Sequence, residues 1–325
     1  MSHDYKPLEE MDVMDNFMIN ALASNLKFGE PFCRTLLSVL LQRKIGKVKI
    51  TAQKSLFPDT PKLRGIRMDI EIEEYIEEKI PKSISDVHSS KDTTSSTTNN
   101  DTELRERITT VYDVEPHLLN DCDLPKRNRF YQAKIDGRHM PNGEKDFDRL
   151  PNLYVISITD YDPFGMDHMM YVFQNQCKDL PQLTYDDGLQ FIYFYTKGTI
   201  GGCEAIKNML NYIRNSKQEN AVDDATREIH NYVSHLKIDP EVKVGYMKFE
   251  EIIRYERRDA TKEATLATKI QDILELLEEY GTVPQELQER LAQEKDLDCI
   301  RRLHKLAAKV NSIEEFVEKM ETGTV

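Results

Sequence analysis

The spacing of apolar positions divides the chain into different kinds of element. Over residues 10–44, Phe17, Met18, Ala21 and Leu22, then Phe32, Leu36, Leu37, Leu40 and Leu41, recur at three- and four-residue intervals. That period is helical, and Gly29 and Pro31 split the stretch into two helices. From Lys47 the period drops to two. Val48 and Ile50 alternate with Lys47, Lys49 and Thr51, which predicts a half-buried strand. Pro58 and Pro61 mark a loop. Ile66, Met68, Ile70 and Ile72 then alternate with Arg67, Asp69, Glu71 and Glu73 as a second strand. Residues 108–115, "ITTVYDVE", predict a third strand ending at Pro116.

Residues 125–140 read as a basic amphipathic helix that covers a sheet with Phe130 and Ile135. "LYVISIT" at 153–159 is a buried strand, and residues 169–173 and 190–195 are two more. Beyond about residue 203 the apolar stripes are helical, interrupted at Gly281 and Pro284. Ser312 and Glu315 form the spacing of a capping box. Residues 82–103 contain "SSKDTTSSTTNND", a low-complexity tract too polar to offset its ordering entropy, and predict a disordered insertion. One sheet with flanking helices is an α/β or α+β core.

The chain has 325 residues, with 39% hydrophobic and 31% charged, and five scattered cysteines without a CxxC pair. This composition excludes a disulfide scaffold and a zinc ribbon and fits a reducing cytosol. No run of 18 apolar residues is present, so no membrane span is expected. Asp4, Glu9, Glu10, Asp12 and Asp15 are out of keeping with a secretory or mitochondrial leader. A cytoplasmic protein is the expectation.

The net charge of -13 is concentrated. Residues 69–106 carry -7, residues 250–325 carry -6, and residues 34–67 carry +8. A basic surface on an acidic protein is therefore available to a polyanion such as DNA, although a solvated charged face accounts for the same numbers.

Two carboxylates stand out by placement. Asp69 lies in the second strand and Glu115 at the end of the third. If these strands are antiparallel neighbours, the two acids share one face, and the 82–103 tract becomes an enlarged hairpin loop. Two converging carboxylates suit a hard cation such as Mg²⁺. Asp113, Glu115 and His117 alternate and would share that face. Alternating acids also occur on plain solvated strands, which is the expectation for Glu71 and Glu73, and a histidine after proline is often a turn residue. P-loop, GxGxxG, GxSxG and HExxH patterns are absent. Lys126, Arg127, Arg129, Lys134 and Arg138 make the 125–140 helix basic, with Tyr131 and Gln132 able to donate hydrogen bonds. Beside a cation site, such a helix would neutralise backbone phosphates.

Five blocks carry a resemblance: "RGIRMDIEIE" (64–73), "VYDVEPH" (111–117), "LPKRNRFYQAKIDGR" (124–138), "LPNLYVISITDYDPFG" (150–165) and "YDDGLQFIYFYTKG" (185–198). They resemble, in order, the bacterial Rpn family of recombination-promoting nucleases and transposases, over about residues 10–250. The resemblance implies an α/β PD-(D/E)XK core, a restriction-endonuclease-like mixed sheet flanked by helices. That core would fill residues 1–250, with an all-helical extension over 251–325.

It also implies a metal-dependent DNA endonuclease of low sequence specificity, associated with recombination or mobile elements. Asp69 and Glu115, with the Pro116 carbonyl, would hold Mg²⁺, or Mn²⁺ in its place. His117 stands where the family has Lys or Gln, and would orient or deprotonate the attacking water. Arg64, Arg67, Lys126, Arg127, Arg129, Tyr131 and Gln132 would contact DNA. A catalytically inactive DNA-binding module on the same scaffold is the alternative. Another is an interaction protein whose helical tail joins a partner or a second copy.

Overall fold

The computed structural model describes residues 6–56, 66–81, 102–120, 123–140 and 145–322. The expected loop at Pro58 and Pro61 and nearly all of the 82–103 tract lie outside these residues. The described chain divides into two compact units, one up to Val244 and one from Gly245.

In the first unit, α1 (Asn16–Ser24) and α2 (Gly29–Leu40) precede three strands, β1 (Lys47–Leu56), β2 (Ile66–Pro81) and β3 (Thr102–His117). Helix α3 (Leu124–His139) leads to β4 (Asn152–Thr159), β5 (Met170–Phe173) and β6 (Leu189–Tyr195), and α4 (Glu204–Arg214) and α5 (Asp224–Ile238) follow. The six strands form one sheet in the order β1-β2-β3-β4-β6-β5. The β1/β2, β2/β3 and β5/β6 pairs are antiparallel, whereas β3/β4 and β4/β6 are parallel. The chain is therefore an α/β protein with a mixed six-stranded sheet flanked by helices.

The two helices expected over residues 10–44 are present, with the break at Asn25–Phe28. The Asn25 side chain accepts from the Lys27 and Phe28 amides at 2.9 and 3.0 Å. Gly29 opens α2 where a Cβ would stand 2.3 Å from the Ala23 carbonyl oxygen, so only glycine lets the helices approach this closely.

β2 and β3 are longer than their apolar alternation predicts. Their outer halves are charged, and charge pairs replace hydrophobic ones as cross-strand partners. Arg107 Nε reaches Glu78 at 2.6 Å, Lys47 Nζ reaches Glu77 at 2.6 Å, and Lys49 pairs with Glu106.

One face of the sheet carries α1 and α2, packed over β1 and β2. The other carries α3, whose Tyr131 and Ile135 join Val111, Leu153 and Val155 in a small core. Coverage on both faces explains the nearly unbroken apolar run of β4. Because side chains alternate along strands, Val111, Asp113, Glu115 and His117 all belong to the α3 face. Tyr112 and Val114 belong to the opposite one. Arg43, just beyond α2, ties the layers together: it pairs with Glu74 at 2.9 Å and bonds Tyr112, which itself donates to Glu74 at 2.6 Å.

Asp223 closes α5 with a reciprocal capping box. It accepts from the Thr226 amide at 2.9 Å, and the Thr226 hydroxyl accepts from the Asp223 amide at 3.1 Å. Burial pushes its carboxyl up, but hydrogen bonds from the Thr226 amide and hydroxyl and from Asn208, with the nearby charge of Arg227, outweigh this and hold it below the usual aspartate range. Asp223→Ala is expected to cost about 1 kcal/mol, measured by urea unfolding. Because the folded pKa is depressed, the ionic part of this contribution is present above the ordinary carboxylate range. It is lost as pH falls through the folded value.

The second unit is helical. It comprises the greater part of α6 (Pro240–Glu278) with α7 (Gln285–Gln293), α8 (Leu297–Ala307) and α9 (Ile313–Thr322). Ile273, Leu277, Leu287, Leu291, Ile300, Leu303 and Phe316 form its core. Gly281, at φ 139°, lies in the predicted break after α6. At the start of α9 the Glu315 amide donates to Ser312 Oγ at 3.2 Å, as expected. The Glu315 carboxylate, however, takes the Asn311 amide rather than that of Ser312, so the box is displaced by one residue. Among the described residues no helix is long and apolar enough to cross a membrane.

Candidate functional site

The ladder between β2 and β3 sets Glu71 opposite Asp113 and Ile70 opposite Val114. Beyond Val114 its role passes to a side chain: the Asp69 amide donates to Glu115 Oε1 at 2.9 Å. The two acids singled out in the sequence are thus neighbours on adjacent antiparallel strands. Glu115 is buried, and Asp69 is half-buried. Pro116 continues β3 in register with Ile158 of β4, and His117, also buried, pairs with Thr159. A proline is accommodated this deep in the sheet because the β2 ladder has already ended on that side.

Asp113 is fully buried, and neither of its carboxyl oxygens has a hydrogen-bond partner. Burial pushes its carboxyl well above the usual range, and the charges of Glu71 and Asp69 push it the same way. Glu115 is raised first by burial and then by Asp113 and Asp69, against the lowering effects of the Asp69 amide and Arg127. The arrangement concentrates carboxylate oxygen in the interior between the sheet and α3.

Helix α3 supplies the opposing cations. Leu124, Asn128, Tyr131, Ile135 and Arg138 recur at helical spacing along the face toward the sheet. Asn128 Nδ2 donates to Ser157 Oγ at 2.9 Å, fixing the helix over the strand position paired with Glu115. An Arg127 amine stands 3.5 Å from Glu115 Oε2 and 3.2 Å from the Tyr131 hydroxyl, with the guanidinium 5.3 Å from the Tyr131 ring centre. At the far end, Arg138 reaches Glu71 at 2.9 Å and Glu73 at 3.1 Å.

These contacts correct the expectation that Glu71 and Glu73 are solvated. Glu71 is 0% exposed, and both acids face the helix. Phe130 does not cover the sheet. It lies on the outer side of α3 under the Lys134 ammonium, 5.6 Å from its ring centre, and Tyr131 takes the inner position.

Of the expected DNA contacts, Arg127 and Tyr131 adjoin the acids. Lys126 and Arg129 are exposed on α3, and the Gln132 amide is held by Asp136 at 2.7 Å. The backbone of Arg67 pairs with Ser55 in the β1/β2 ladder, and Arg64 lies outside the described residues. Glu71, Asp113 and Arg138 join the site without being marked as site residues by the sequence motifs. Alternation places Asp113 with Glu115, and a seven-residue step from Tyr131 places Arg138 on its stripe.

Among the described residues no three His, Cys, Asp or Glu side chains are already gathered as a cage for a metal ion. The chemistry of the donors nonetheless fits a hard divalent cation. Asp113 offers two buried oxygens without hydrogen-bond partners beside the Asp69–Glu115 pair, and burial, then the charges of Glu71 and Asp69, raise its pKa. Asp113→Asn is accordingly expected to stabilise the cation-free protein by about 1–3 kcal/mol. The readout is the urea midpoint, and an unchanged or lower midpoint would show that this carboxyl is not strained. Comparison with family models, curated proteins and solved structures found no match for the chain.

Proposed function

We propose that this protein is a divalent-cation-dependent DNA endonuclease with a PD-(D/E)XK, restriction-endonuclease-like core, akin to the Rpn nucleases whose sequence blocks it resembles. The observation that carries the reading is the meeting of Asp69 and Glu115 on adjacent strands, with buried Asp113 alongside and the basic helix α3 over them. The strand order agrees: three antiparallel strands, a helix, and a fourth strand parallel to the third.

Asp69, Glu115 and the Pro116 carbonyl are the groups that would hold Mg²⁺ or Mn²⁺, which when bound lowers the pKa of a water and offsets charge on a phosphate. His117, at the end of the same strand face, orients the attacking water or accepts its proton. Arg127 exchanges its contact with Glu115 for a phosphate oxygen, while exposed Lys126 and Arg129 hold neighbouring phosphates. Such contacts read the backbone and not the bases, so cleavage has low sequence specificity. The resemblance connects this activity with recombination or mobile elements.

One observation favours a second reading. Both Glu115 oxygens already face a donor, the Asp69 amide and Arg127. A module that binds DNA without cutting it would retain this arrangement. Supercoiled plasmid incubated with Mg²⁺, with Mn²⁺ and with EDTA separates the two. The nuclease reading expects nicking with either cation and none with EDTA. DNA retained in a gel shift without nicking under any condition would favour the binding module.

A further inference from the structure

Glu115 has one oxygen left for a cation, and a positive charge already stands beside it. Its Oε1 accepts from the Asp69 amide at 2.9 Å. Its Oε2 lies 3.5 Å from an Arg127 amine, longer than the roughly 2.7–2.9 Å of a tight charge-assisted hydrogen bond. The contact is therefore mainly electrostatic and open to exchange. The Glu115 side chain is 3% exposed and that of Arg127 35%, so the arginine meets solvent while its partner does not. The other contacts described for Arg127 belong to its own helix: the guanidinium rests 5.3 Å from the Tyr131 ring centre, with an amine 3.2 Å from the Tyr131 hydroxyl. The next residue, Asn128, anchors α3 to Ser157 at 2.9 Å. Exchange of the Glu115 contact thus asks for rotation of one long side chain and leaves the helix in place.

We propose that Arg127 couples cation binding to DNA binding: it is the resident counter-charge of Glu115 until a backbone phosphate takes it, and each ligand then favours the other. The inference rests on the nuclease reading above and adds the regulation of that site. A divalent cation at Glu115 and a guanidinium 3.5 Å from the same carboxylate repel one another. Arg127 in place therefore lowers cation affinity without abolishing it. A phosphate that draws Arg127 outward leaves the carboxylates without this counter-charge, and the cation replaces it. Lys126 and Arg129, exposed beside Arg127 on α3, favour a polyanion with successive phosphates over a single free anion. By linkage, the factor by which DNA tightens the cation is the factor by which the cation tightens DNA. The exchange also accounts, within the nuclease reading, for a donor facing each Glu115 oxygen.

Calorimetric titration of Mn²⁺ into the full chain tests the coupling, first without DNA. Arg127→Met and Arg127→Gln remove the charge and are each expected to bind Mn²⁺ about fivefold or more tighter than the wild type. Gln keeps a donor within the same helix, so it serves if the Met variant folds poorly. Arg127→Lys keeps the charge and is expected to stay closer to the wild type than to either neutral variant. The titrations are then repeated with a saturating phosphorothioate duplex, whose backbone resists hydrolysis. The duplex is expected to tighten Mn²⁺ binding to the wild type about fivefold or more, and to the neutral variants by a smaller factor, because their site is already released. Two results would overturn the proposal while leaving the cation site standing. One is wild-type binding that neither neutral substitution tightens, and the other is a duplex effect of equal size in wild type and variants. Absence of Mn²⁺ binding by every protein, with and without the duplex, would overturn both the proposal and the nuclease reading beneath it.

Discussion

Glu115→Gln and Asp69→Asn are each expected to lower the rate of plasmid nicking by at least about 10²–10³-fold while leaving the protein folded. Such a loss corresponds to roughly 3–4 kcal/mol of transition-state stabilisation, a common cost of removing one charged group from an electrostatic site. Both substitutions nearly conserve shape. The side-chain amide oxygen that Glu115→Gln introduces can still accept from the Asp69 backbone, so the β2/β3 junction survives, and what is lost is negative charge directed at the cation. Relief of repulsion with buried Asp113 works in favour of folding. A rate loss accompanied by an unchanged or higher melting temperature would separate a catalytic role from a structural one. Equal cleavage by wild type and both variants would exclude these acids from the reaction.

Arg138→Met is expected to destabilise the first unit by roughly 3–5 kcal/mol. Arg138 bridges fully buried Glu71 and partly buried Glu73, and its amine also lies 2.6 Å from His139 Nε2. Methionine keeps much of the aliphatic stem but leaves Glu71 in the interior without this cation. The carboxyl must then be protonated or drag water beneath α3. The double variant Arg138→Met with Glu71→Gln is expected to recover much of the loss, because the charge that needed pairing is gone. Urea unfolding of the two variants measures both steps. A loss below about 1 kcal/mol in the single variant would place the pair in the class of exposed ion pairs.

Much of this architecture is legible in the chain because period and burial coincide. The two-residue alternation of 66–72 and the run "VYDVE" fix which side chains share a face, so Asp69 and Glu115 can be matched although 45 residues separate them in sequence. The outer halves of β2 and β3 are not legible. Glu77, Glu78, Glu106 and Arg107 carry no hydrophobic period, and only their ion-pair partners on the other strands of the sheet explain them. Glu71 shows the same limit at the site. An acid in an acidic strand reads as solvated until the path of α3 is known, since the helix brings Arg138 over it. Helix α3 is recognisable as basic and amphipathic, but adjacent Phe130 and Tyr131 compete for its inner face. A tyrosine whose hydroxyl can bond Arg127 wins the partly polar position, leaving phenylalanine outside under Lys134.

The most direct test of the buried acids as a cation site is calorimetric titration of Mn²⁺ into the full-length protein, with Glu115→Gln titrated under the same conditions. Saturable binding by the wild type, lost or weakened at least about tenfold in the variant, is the expected result. Absence of binding by the wild type, or equal binding by the two proteins, would contradict the assignment.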